Sequence, residues 1–137
     1  MAFRVVLDTN IVLSILSRRS AHKYILDNLF DGTYEAYITT EILYEYQEKI
    51  RDFFDATTAD IFVDALTTLP NVHKIEPYYK LNLITADPDD NKFVDCAFAS
   101  NAHYIVTNDK HFNVLKKLTF PTIALLKLQE FGNLLQT

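Results

Sequence analysis

Apolar positions along the chain follow two alternating patterns. Short runs rich in β-branched residues occur at residues 3–7 (FRVVL), 34–39 (YEAYIT), 72–75 (VHKI), 104–107 (YIVT) and 122–126 (TIALL). Their length and makeup predict strands. The segments between them carry apolar residues at helical spacing. They predict helices over 10–30 with a break near 17–20, and over 40–50, 58–69, 88–101, 111–118 and 127–135. The resulting order is β-α-β-α-α-β-α-β-α-β-α. Strand runs too continuous for a sheet with one wet face, each followed by helix, imply a parallel sheet covered on both sides. The fold class expected is a three-layer α/β/α sandwich, Rossmann-like, in one domain over residues 1–137. No Gly/Ser-rich linker or repeat divides the chain, and it contains only two glycines, Gly32 and Gly132.

In such sheets ligands bind beyond the carboxyl ends of the strands, where the connections diverge. Two acids fall there. Asp8 ends the first strand run in VVLDTN, and Asp109 follows the fourth by two residues in YIVTND. Each has a purely local alternative, Asp8 as a helix N-cap and Asp109 as a turn or cap before KHFNVLKK.

Two further acids emerge from helical projection at about 100° per residue. In TTEILYEYQEKI, Ile42, Leu43, Tyr46 and Ile50 share an arc, and Glu45 lies about 60° outside Ile42. It either leans toward the core or pairs with Lys49 at i+4. In ADPDDNKFVDCAFAS, Asp87 before Pro88 reads as an N-cap with proline at the first helical position. Phe93, Val94, Ala97 and Phe98 form the expected buried arc. Asp90 projects into its middle and Asp95 points away, toward solvent. Asp90 is thus a site candidate, with a capping-box role as its alternative.

Carboxylates gathered at neighbouring strand ends, about 4.8 Å apart, repel one another unless a cation lies between them. Mg²⁺ suits such an oxygen-rich setting, and one or two such ions can activate water and stabilise a leaving oxygen in phosphodiester cleavage. Other chemistries lack their residues. Two glycines leave no P-loop or GxGxxG, no serine lies in GxSxG, and His22, His73, His103 and His111 show no metal-ligand spacing. DTN also lacks the second aspartate of a DxD phosphotransferase start. A receiver domain would need an acceptor aspartate after the third strand, where Glu76-Pro77 stands.

Four segments in order, VVLDTNIVLS, TTEILYEYQEKI, DPDDNKFVDCAFAS and YIVTNDKHF, resemble the motif regions of the PIN-domain nucleases. They are most similar to the branch described as toxin components of toxin-antitoxin systems. The resemblance implies a PIN fold and a metal-dependent endoribonuclease using one or two Mg²⁺ or Mn²⁺ ions. It carries the acidic quartet onto Asp8, Glu45, Asp90 and Asp109, as catalytic and metal-holding residues. Asn10 and Thr107 become polar supports that orient carboxylates or water. RNA as substrate, an antitoxin that blocks or disorders the pocket, and a homodimer are the partners expected. A catalytically silent module of the same fold, binding a partner, is the alternative, although it has no reason to keep four repelling acids.

Composition changes this picture little. The formal net charge is -5, and Arg18, Arg19, Lys23, Lys49, Arg51, Lys92, Lys110, Lys116 and Lys117 are scattered, each read mainly as a solvated surface charge. If four acids hold cations, 14 acidic residues face 13 basic ones, so the net charge is only a weak objection to an RNA substrate. A lone Cys96, no signal-peptide core and no long apolar run lead us to expect a soluble cytoplasmic protein with no membrane span.

Overall fold

The computed structural model describes residues 2–137. Five strands, Arg4–Leu7 (β1), Glu35–Ile38 (β2), Val72–Lys74 (β3), Tyr104–Val106 (β4) and Ala124–Leu126 (β5), form one sheet in the order β3-β2-β1-β4-β5. Every pairing is parallel. The helices are Thr9–Leu16 (α1), Lys23–Asp31 (α2), Thr40–Phe53 (α3), Ala56–Thr68 (α4), Asn91–Ser100 (α5) and Leu128–Leu135 (α6). Helices flank the sheet in the α/β/α arrangement expected from the strand and helix runs.

Central β1 is apolar throughout its buried part: Val5, Val6 and Leu7 are fully or almost fully buried, as are Ile105 and Val106 of β4 beside them. That is the pattern of a strand covered on both faces. The helices supply their apolar stripes from Ile42, Tyr46 and Ile50 of α3 and from Phe93, Val94 and Ala97 of α5. The Tyr46 hydroxyl donates to the Leu7 carbonyl, which pins α3 to the carboxyl end of β1.

From β1 the chain steps through β2 to β3 on one side, then crosses back to β4 and β5 on the other. The divergence falls between β1 and β4, and their carboxyl ends open a crevice there. Register sets what faces it. Leu7 pairs with Val106, so Asp8 and Thr107, the next residues on each strand, lie side by side.

Several expectations need correction. The segment after β4 is a 3₁₀ helix, Lys110–Lys117, not an α-helix; its buried residues, Phe112 and Leu115, are three apart, which suits three residues per turn. The helix expected from residue 88 begins as a 3₁₀ turn, Pro88–Asp90, and becomes α-helical at Asn91. Phe98 is on the surface rather than in the buried arc. Asp95, expected in solvent, is buried and accepts the Leu81 N–H at 3.0 Å. The cause is the irregular segment 75–87, which folds back over α5. The Asn91 amide clamps it by accepting the Ile84 N–H at 2.9 Å and donating to the Ile84 carbonyl at 2.8 Å.

Candidate active site

The crevice at the strand ends is a cleft of about 260 Å³ lined by Asp8, Thr9, Asn10, Glu45, Lys49, Phe53, Asp87, Asp89, Asp90 and Asp109. All four acids singled out in the sequence line it.

Asp8 stands between β1 and α1, yet its side chain makes no capping hydrogen bond to the helix. Instead one carboxylate oxygen accepts the Thr107 hydroxyl at 2.7 Å. The same Thr107 oxygen accepts the Asp109 N–H at 3.0 Å, so one threonine positions two acids. Burial pushes the Asp8 carboxyl up to about 6, against the opposing hydrogen bond from Thr107 and with the charges of Asp109 and Glu45 adding to the rise.

Asp90 occupies the N-cap position of α5 and also makes no capping bond. Its Oδ2 is buried and, among the described residues, has no hydrogen-bond partner. Burial, with the charges of Asp87, Asp109 and Asp8, raises its carboxyl to about 7. An unpaired buried carboxylate oxygen of this kind calls for a proton or a cation. Asp109 does cap: its Oδ1 accepts the His111 N–H at 2.9 Å, so the local alternative for this residue holds alongside its place in the cleft.

Glu45 makes neither of its expected choices outright. It faces the cleft, but its ion partner is Lys92 at 2.8 Å rather than Lys49. Its second oxygen accepts the Thr9 hydroxyl. Lys92 was expected as a surface charge and is buried; its ammonium also lies 3.0 Å from an Asp89 carboxylate oxygen and donates to the Asp89 carbonyl at 2.8 Å. Burial alone would lower the Lys92 ammonium, but the hydrogen bonds and charges of Glu45 and Asp89 hold it above its ordinary value. Asn10 lies exposed at the cleft rim.

Sequence reasoning also passed over His111. Its Nδ1 lies 3.4 Å from Asp109 Oδ1 and 3.7 Å from Asp90 Oδ2, and ligand atoms of Asp87, Asp90 and His111 all lie within 4.8 Å of one another. Spacing along the chain could not show this, because Asp90 and His111 meet only through the fold. For Lys92 a signal existed: it stands three residues after Asp89, a spacing that brings helical side chains together.

The PIN domain family model matches residues 4–111, a stretch that contains every residue of this cleft. The chain belongs to the PIN-domain family. Solved structures share its fold. VapBC2 from Rickettsia felis, bound to a DNA fragment from their promoter, aligns with a TM-score of 0.63 at 20% identity, covering 91% of this chain and 98% of that one. VapBC-1 from nontypeable Haemophilus influenzae gives 0.63 at 14% identity, with 93% and 99% covered. The PIN domain endonuclease Utp24 gives 0.54 at 17%, with 90% and 84% covered. No curated protein sequence matches this PIN domain. Among its described residues no helix is long and apolar enough to cross a membrane.

Proposed function

We propose that this PIN domain is a metal-dependent endoribonuclease and the toxin component of a toxin-antitoxin pair. The observation that carries the nuclease reading is the buried Oδ2 of Asp90, without a hydrogen-bond partner among the described residues and set among the carboxylates of Asp8, Asp87 and Asp109. A hard divalent cation fits that donor set, and Mg²⁺ or Mn²⁺ is the assignment. Asp8, Asp90 and Asp109 would hold it, with Glu45 completing the acidic quartet from α3. When bound, one or two such ions supply activation of water and neutralisation of charge at the phosphodiester.

The chain's own residues do the positioning. Thr107 fixes the Asp8 carboxylate and the backbone of Asp109 together. Asn10, exposed at the rim, offers an amide to water or to a phosphate oxygen. On the α3 side of the same cleft Lys49 provides a cation, and Phe53, 70% exposed, provides a ring face on which an unpaired base can stack. These features suit single-stranded RNA. The toxin half rests on the branch that the four motifs resemble and on VapBC2, VapBC-1 and FitAcB from Neisseria gonorrhoeae among the proteins of similar fold. An antitoxin is the partner this implies, and a homodimer the assembly.

The test is cleavage of single-stranded RNA with Mn²⁺ by wild type, Asp90→Asn and the surface control Asp27→Asn. Loss of an outer support at a metal site typically costs about 10–100-fold, so removal of a direct ligand should cost at least about 100-fold. Asp27→Asn should match wild type. A folded Asp90→Asn protein with undiminished cleavage would refute the site, and a wild type without cleavage would favour the silent binding module.

A further inference from the structure

The acids of the cleft differ in how their charge is met. Both oxygens of Glu45 are occupied by the protein, one by the Lys92 ammonium at 2.8 Å and the other by the Thr9 hydroxyl. The lysine is equally committed: its side chain is 5% exposed, and Glu45, the Asp89 carboxylate and the Asp89 carbonyl take its contacts at 2.8, 3.0 and 2.8 Å. An ammonium has three hydrogens to donate, and three acceptors account for them. The opposite holds for Asp90, whose buried Oδ2 has no hydrogen-bond partner among the described residues.

The geometry points to Lys92 as a built-in cation that occupies the place of a second metal ion, leaving one ion site on the Asp8, Asp90 and Asp109 side and making Glu45 a positioning residue rather than a metal ligand. This rests on the metal-dependent reading above and narrows it from one or two ions to one. A lysine and a divalent ion satisfy the same need of a carboxylate, but only the lysine is covalently supplied and always present. It also ties Glu45 of α3 to Asp89, the neighbour of Asp90, so it sets where the Asp90 carboxylate stands. With its hydrogens taken and its stem buried, Lys92 does not reach substrate.

Mn²⁺ binding to the full chain without RNA tests this, by calorimetric titration and by the electron paramagnetic resonance signal of free Mn²⁺. Wild type should bind one Mn²⁺. Glu45→Gln keeps the shape and one of the two accepting oxygens, and should change the affinity by no more than about threefold. Asp90→Asn should weaken it at least about tenfold. Lys92→Met, which vacates the cation position while keeping much of the stem, should admit a second, weaker Mn²⁺ between Glu45 and Asp89. Two ions on wild type, an equal loss in Glu45→Gln and Asp90→Asn, or a single ion on Lys92→Met would each overturn the assignment. The first two outcomes would leave the nuclease reading standing with Glu45 as a ligand. Unchanged binding in Asp90→Asn would remove the metal site itself, and this inference with it.

Discussion

Asp90 and Asp8 show how burial holds carboxyls above their ordinary range. Their carboxyls are pushed up to about 7 and about 6, in both cases first by desolvation and then by neighbouring carboxylates. The sign of the consequence differs between folding and metal binding. In the metal-free protein the native state keeps protons that the unfolded chain releases near pH 4. Its stability therefore falls as pH rises from about 4 through 7. A divalent ion needs the ionised carboxylates, so its affinity rises over the upper part of the same range. Mn²⁺ should bind at least about tenfold more tightly at about pH 8 than at about pH 5.5, because at the lower pH both acids are largely protonated. Titration calorimetry at the two pH values measures this directly. Acids titrating near pH 4 would give the same affinity at both, and that result would contradict the perturbed pair.

At the scale of elements, α5 bears Lys92 and has Asp90 at its N-cap, and segment 75–87 packs over it. Asn91→Ala removes both hydrogen bonds to Ile84, whose backbone is buried with it, and should destabilise the protein by about 1–3 kcal/mol. Asp95→Asn keeps an oxygen to accept the Leu81 N–H and should cost less. Denaturant melts of both variants give the comparison; an Asn91→Ala loss within about 0.5 kcal/mol would mean that the amide does not secure the segment. The strands and most helices were legible in the sequence because their signals are local: β-branched runs for β1 and β4, spaced apolar residues for α3 and α5. Asp90 was legible for the same reason, since its neighbours on the helix define the buried side. Asp95 was misplaced because a projection knows only its own helix and cannot see a loop packing across it, and Phe98 because it cannot see where packing against the helix stops. His111 was missed because its neighbours depend on chain segments far away in sequence; Lys92 had a local signal in Asp89, but its burial against Glu45 depends on a distant segment.

For the molecule as a whole, the parallel sheet concentrates acids at one edge of a chain whose formal net charge is already -5. Two carboxylates about 6 Å apart at an effective dielectric near 20 repel by roughly 3 kcal/mol before protonation relieves them. The metal-free fold is therefore opposed by its own site. Asp109 is the informative position, because its charge acts on both Asp8 and Asp90 while its capping of His111 can be kept by asparagine. In chelator at about pH 8, where the acids are ionised, Asp109→Asn should melt above wild type, since one repelling charge is gone and the polar shape remains. Added metal should reverse the order. An ion at about 100 times its dissociation constant stabilises the native state by about 2.7 kcal/mol, roughly 10 °C in a chain of this size, and the variant, lacking a ligand, should gain much less. Thermal melts of both proteins in chelator and in millimolar Mn²⁺ contain the whole comparison. A local cap with no ion beside it predicts two nearly identical melts in either buffer, whereas a shared cation site predicts curves that cross when metal is added.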